Sequence, residues 1–266
     1  MDLFRNALAY LGDGSNWGGH DGILPLAVSH LKITLIAVLL AAIVGLSLGI
    51  ALGHARRGGS VVTALANLTR AVPVLGLLAL LATNGSLGVT ATSAILALAV
   101  FAVAPILTNT WTGVSTVDRE TVEAATGLGM SGRQVLLGVE LPLALPLIAA
   151  GLRTALLQVF ATATIASFVG ASTLGNLVAD GQATSSYDQV LAGAICIAVI
   201  AVALDLVLGV VQALVTPGAV NPARRVLSRF TGGSAADAAT LPPSTGSSPS
   251  DTRDDDSHGT RKAGVA

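Results

Sequence analysis

Glu123-Ala124-Ala125-Thr126-Gly127-Leu128-Gly129, closed by Val139-Glu140-Leu141-Pro142, is a polar, charge-bearing island in an otherwise apolar chain. The runs on either side decide the fold. Of 266 residues 52% are hydrophobic and only 11% charged, with mean hydropathy +0.75. A soluble domain carries about 25% charged residues. Apolar runs long enough to cross about 30 Å of hydrocarbon therefore predict an all-α, polytopic membrane protein. Five runs qualify, at about 31–52, within 61–82, at 91–108, 143–169 and 190–215. The island lies in the longest polar connection between spans, about 113–142.

The basic residues set an expected orientation. Arg56 and Arg57 follow the first span, Arg119 and Arg133 lie in the island loop, and Arg224, Arg225 and Arg229 follow the fifth. The opposite loops, 84–90 and 170–189, carry no Lys or Arg; Arg5 and Lys32 stand alone against the pattern. The positive-inside rule then puts the N-terminus outside and the island and the C-terminus in the cytoplasm. Residues 1–24 form an extracytoplasmic segment without a continuous apolar h-region. Phe4, Leu8 and Leu11 are spaced for a short amphipathic helix on the outer surface. Residues 25–217 are the transmembrane domain. Residues 218–266, with Gly232-Gly233-Ser234, Pro242-Pro243 and Asp254-Asp255-Asp256, read as a cytoplasmic, largely disordered tail.

Within the island, helical patterning through Val117, Thr121, Val122 and Ala125 stops at Gly129. A second short helix is expected at 131–138, with Ser131 as N-cap. Pro142 is expected near the start of span four, where a missing N–H costs little. Ala124 and Ala125 would present a smooth surface to a partner, and Glu123 would add one charge for registration.

The spacing Glu-Ala-Ala, three residues, Gly129, nine residues, Val139, one residue, Leu141-Pro142 closely resembles the EAA loop of ABC importer permeases, with Val139 where that family has Ile. The resemblance extends over about 25–217. His30-Leu31-Lys32 leading into Gly45-Leu46-Ser47-Leu48-Gly49-Ile50, Arg70-Ala71-Val72-Pro73-Val74-Leu75, and Phe168-Val169-Gly170-Ala171-Ser172-Thr173-Leu174-Gly175 look like osmoprotectant permeases of the glycine betaine/carnitine/choline branch. Ser172 and Thr173 replace a Gly-Gly pair of that branch. The resemblance implies a type I importer permease in the inner or plasma membrane, pairing with a second copy or a paralogue. It implies that Glu123, Ala124, Ala125, Gly129, Val139, Leu141 and Pro142 form a coupling element docked on cytoplasmic ABC ATPase subunits. It also implies a separate extracytoplasmic substrate-binding protein. Amino-acid (methionine-like) import by the same architecture is the alternative.

The residues support that division of labour. A P-loop needs Gly-Lys-Ser/Thr, and Lys32 and Lys262, the only lysines, follow Leu31 and Arg261. The chain is expected to be non-catalytic, binding no cofactor itself, with ATP used by the partner. Quaternary ammonium ions favour aromatic cages, and aromatics are 3% of the chain and scattered. Asp180, Tyr187 and Asp188 are candidate contacts for the binding protein. No metal-ligand cluster or catalytic triad is evident, and a net charge of −1 implies no nucleic-acid partner.

Arg70, Arg153 and Asp205 fall in or near apolar runs, where charge is costly and faces a partner or a pathway. An Arg153–Asp205 pair between spans four and five is expected. Gly45, Gly49 and Gly53, four residues apart, predict close helix packing within the chain. His30 is expected to be simply solvated. An ATP-independent secondary transporter is disfavoured by five spans without an internal repeat or a clearly broken helix, and a non-transporting scaffold is the third class.

Overall fold

The computed structural model describes residues 2–85 and 88–216, the side chain of Arg70 excepted. The expected tail lies outside the described residues, which are helical throughout their regular elements. Helices α1 (Asp2–Gly12), α2 (Ile23–His54), α3 (Gly59–Ala71), α4 (Val74–Ala82), α5 (Ala91–Ser115), α6 (Arg119–Gly127), α7 (Gly132–Val135), α8 (Leu141–Ala163), α9 (Gly175–Ala183) and α10 (Tyr187–Val215) follow in order. A π turn at Leu136–Glu140 joins α7 to α8, and a 3₁₀ turn at Thr164–Val169 extends α8.

Four helical stretches are long and apolar enough to span a membrane: Ile23–His54, Ala91–Ser115, Gly132–Val169 and Tyr187–Val215. The expected second span is instead a pair, α3 and α4, bent by 78°. Pro73 is the cause. It has no N–H to donate and excludes helical backbone from the residue before it; Val72 is extended at φ −74°, ψ 124°. Five spans result only if the bent pair counts as one. The bend also removes one premise against a secondary transporter, since a broken helix is present.

Three helices make the core. α2 packs on α5 and α5 on α8 through Ile33, Ala37, Ala41, Leu98, Ala102, Ile106, Ala155 and Val159, all buried. Small residues dominate because helices in lipid gain from close van der Waals approach, not from hiding apolar surface from water. On α2, Gly45, Gly49 and Gly53 meet Ile106, Thr110 and Val114 of α5; a Cβ built at Gly49 would lie 2.7 Å from Thr110 Cβ. Both series advance by four residues, so the two helices mesh as one seam. Gly49→Leu is expected to cost about 2 kcal/mol by overpacking, read as a lower unfolding midpoint in detergent, with Gly49→Ala milder. Along α10, Val199, Val202, Leu206, Val207 and Val210 are exposed. Such a face suits acyl chains, provided the backbone is hydrogen-bonded within the helix.

Several further expectations change. Span one begins at Ile23, eight residues before position 31, and span three runs on to Ser115. α1 does form, but Phe4 and Leu8 are exposed while Ala7, Tyr10 and Leu11 pack toward α10. Loop 170–189 contains α9, seated through Leu174 and Leu177 on Ile23, Leu26 and Cys196.

Candidate functional site

The island folds as two short helices around a glycine turn. Asp118 caps α6: its Oδ2 accepts from the Thr121 amide (3.0 Å) and the Thr121 hydroxyl (2.9 Å). The Thr121 hydroxyl, and then its amide, hold the Asp118 carboxyl below the usual carboxylate range. A lowered folded pKa means the cap stabilises α6 at all pH above the ordinary carboxylate range, and is lost only as pH falls through the lowered value. Asp118→Ala is therefore expected to speed amide hydrogen exchange at residues 119–122 at neutral pH, with the difference from wild type vanishing in strong acid.

Gly129 ends α6 with φ +88°. The Met130 amide donates to Ala125 O and the Gly129 amide to Thr126 O. These two bonds define the cap that favours a left-handed residue at this position. Nothing lies within 4 Å of a Cβ built there. The glycine is therefore required by backbone geometry and not by space. At the tip, Leu128 is 86% exposed. Ser131 caps α7, with its amide and hydroxyl both donating to Gln134 Oε1 at 2.8 and 2.9 Å. Met130, Ser131, Arg133, Gln134, Leu137 and Gly138 line an open groove of about 600 Å³.

Of the residues matched to the EAA pattern, Glu123 and Ala124 are exposed. Arg119 Nε approaches Glu123 Oε1 at 3.8 Å, both side chains in solvent. Ala125, by contrast, is buried, so only one alanine faces outward. The helix period explains the difference: Ala125 lies three residues after the half-buried Val122, on the side that packs back onto α7 and the π turn.

The expected separate helix at 131–138 runs without a break into span four. Val139 sits in the π turn, half-buried, and Leu141 donates its amide to Leu136 O, five residues back. Pro142, expected near the start of span four, is the second residue of α8, which follows the π turn without a break. The wider turn fits that placement, because Pro142 has no N–H for the four-back bond.

The π turn aims Glu140 inward, where it is 2% exposed. The His54 ring, at the end of α2, donates from Nδ1 to Glu140 Oε2 at 2.5 Å. Sequence reasoning passed over this pair, treating Glu140 as the unspecified residue of the pattern. A lone carboxylate beside an apolar run, matched by a lone histidine at the end of another, was the available signal.

Arg153 and Asp205 are brought together. Arg153 Nε donates to Asp205 Oδ1 at 2.7 Å, joined by Nη2. Nη1 reaches Gln212 Oε1 at 3.3 Å, and Gly209 leaves room for the guanidinium. Gln212 was not foreseen, although it lies seven residues after Asp205 and shares its helix face. Arg70 lies in the last turn of α3, and its side chain is outside the described residues.

At the opposite end of α2, His30 is fully buried, contrary to the expected solvation. Its Nε2–H donates to Phe160 O (2.9 Å), and its Nδ1 accepts the Leu174 amide (3.3 Å). One neutral imidazole so links α2, α8 and the start of α9. Asp180 is exposed, Tyr187 is 64% exposed and Asp188 is half-buried. Burial first, then the carboxylates of Asp188 and Asp180, push the Tyr10 phenol above its ordinary value. α1 thus lies beside the candidate outer contact, which was not anticipated.

The family model for binding-protein-dependent transport system inner membrane components matches residues 41–220. The chain belongs to that family. As an inner membrane component it is a multi-pass permease subunit. The glycine betaine/carnitine/choline transport system permease protein OpuCB of Bacillus subtilis is 38% identical over 188 residues, covering 71% of this chain and 86% of that protein. OpuCD of the same organism, of the same description, is 41% identical over 189 residues, covering 71% and 82%. The osmoprotectant import permease protein OsmW of Salmonella typhimurium is 33% identical over 195 residues, covering 72% and 91%. Among solved structures, an inward-facing MetNI methionine ABC transporter superposes with TM-score 0.65 at 19% identity, covering 73% of this chain and 96% of that one. An amino acid ABC transporter crystallised with histidines gives 0.59 at 22%, covering 79% and 96%. These two likenesses establish the type I importer permease fold of this membrane component.

Proposed function

We propose that the chain is the membrane subunit of an ABC importer that moves glycine betaine-like quaternary ammonium osmoprotectants. The observation that carries this is the identity of 33–41% to permeases named for those compounds, over at least 82% of their length. Methionine and other amino acids rest on fold alone, at 19–22% identity. The N-terminus lies outside and the α6–α7 loop in the cytoplasm, following the distribution of Arg. Separate ATPase subunits dock on that loop. Leu128, Glu123 and Ala124 are the exposed groups available to them, with the groove behind Ser131. A substrate-binding protein delivers ligand to the other face, near Asp180, Tyr187 and Asp188. A second permease copy or a paralogue completes the pathway.

The test is uptake of radiolabelled glycine betaine, choline and carnitine, with methionine alongside, in cells lacking other osmolyte importers and supplied with the cognate ATPase and binding protein. Accumulation of at least one quaternary amine but not methionine is expected. Methionine uptake alone would move the assignment to the amino-acid branch.

A further inference from the structure

α2 ends in an unusual way. Arg56 has φ +49°, the left-handed conformation, at the position after a helix where glycine is favoured. The cap is otherwise complete: the Arg56 amide donates to Gly53 O at 2.9 Å and the Arg57 amide to Leu52 O at 3.1 Å. Glycine would satisfy both bonds without strain. An arginine held there against its backbone preference points to a use for its side chain.

That use is visible. Arg56 Nη2 donates to Val117 O at 2.8 Å. Val117 immediately precedes Asp118, the cap of α6. Two residues earlier in the same turn, His54 donates to the buried Glu140, where the island rejoins span four. A Cβ at Gly132 would lie 3.7 Å from His54 Nε2, so the ring lies beside the start of α7. Trp111 of α5 seats the turn by donating its indole N–H to Arg57 O at 3.0 Å. One four-residue turn therefore grips the loop where it leaves α5 and where it enters α8. The π turn that aims Glu140 is itself a device found at functional positions.

We infer that residues 54–57 form a two-point clamp, Arg56 on Val117 O and His54 on Glu140, through which displacement of the α6–α7 loop is passed to α2 and so to the helix seam with α5. Arg56, His54 and Glu140 are positioning residues. The inference rests on the proposed ATP-driven import and adds to it the route by which the loop moves a spanning helix. Without the clamp the loop still docks and still responds to ATP hydrolysis, but swings on its hinges.

The test uses the full importer in proteoliposomes, with uptake and ATP hydrolysis measured on the same preparation. Arg56→Gly is the decisive variant because it relieves the strained cap. Its unfolding midpoint is expected to equal or exceed wild type while transported substrate per ATP hydrolysed falls at least about tenfold, a loss of about 1.4 kcal/mol of coupling. Glu140→Gln is expected to show the same split, and Arg56→Lys, which can still reach a carbonyl, to retain most of the ratio. A wild-type ratio in both Arg56→Gly and Glu140→Gln would overturn the clamp. So would uptake that falls only in step with assembled complex, since that marks a purely structural part. A wild-type complex that imports nothing with ATP would instead refute the proposed function, and the clamp with it.

Discussion

Gly129→Val is expected to reach the membrane and assemble normally, yet to lose about tenfold or more of its ATP-driven uptake, since forcing a β-branched side chain into left-handed backbone costs about 1–2 kcal/mol and each 1.4 kcal/mol is a decade in the docked population. Gly129 has φ +88° and open space around it. The cost is therefore one of backbone alone, and it falls on the turn that sets α6 against α7. This gives a ranking that a steric account would not: Gly129→Asn, which tolerates left-handed backbone, should retain most activity, while Gly129→Ala, the smaller residue, should lose more. Glu123→Arg should match the valine variant in uptake by another route. Glu123 is exposed and, among the described residues, its one ion pair is a loose one with Arg119, so its loss leaves the fold intact and reports on docking. Uptake is the readout, against membrane level of the protein by immunoblot. Equal activity of Gly129→Ala and wild type would show that the turn geometry is not what the loop needs.

Arg153→Met is expected to destabilise the permease by about 2 kcal/mol, because it leaves the Asp205 carboxylate beside lipid without its partner. Asp205→Leu should cost a similar amount for the mirror reason. The double variant Arg153→Met, Asp205→Leu should recover most of either loss, since removing both together leaves no charge unpaired. Gln212, the third member, binds only one guanidinium N–H and should contribute less. Unfolding midpoints of purified protein in detergent measure all four states of the cycle. Simple addition of the two single losses would mean that the contact between Arg153 and Asp205 carries no coupling energy.

Much of the fold was legible because lipid imposes a simple rule: a run of apolar residues must close its own backbone hydrogen bonds, and only a helix does so within one segment. The meeting of Arg153 with Asp205 was legible for a related reason, since isolated charges in such runs seek one another. Pro73 was noted in the sequence, but not that it would turn its span through 78°, because composition over a window is blind to a single missing N–H. Helix α9 was invisible for want of length, and its two core leucines, Leu174 and Leu177, only make sense once α2 is known to extend back to Ile23. The glycine turn and the Ser131 cap could be named from residue type. The side on which Ala125 would fall, and the π turn that carries Glu140 inward, could not. Both depend on the phase at which one helix hands over to the next, and a one-residue change in that phase moves a side chain to another face. Glu140, His30 and His54 share this character: each is polar, each stands alone in sequence, and each finds its partner more than eighty residues away.

In the proposed importer, energy enters at the α6–α7 loop from one side of the membrane while substrate enters from the other. The measurement is uptake by proteoliposomes holding the complete importer in a single orientation, with ATP supplied on one side and substrate-loaded binding protein on the other. Import is predicted only when ATP is on the side that carries the α6–α7 loop and the binding protein is on the opposite side. Uptake that proceeds without ATP, or with both supplied on the loop side, would overturn the proposed import.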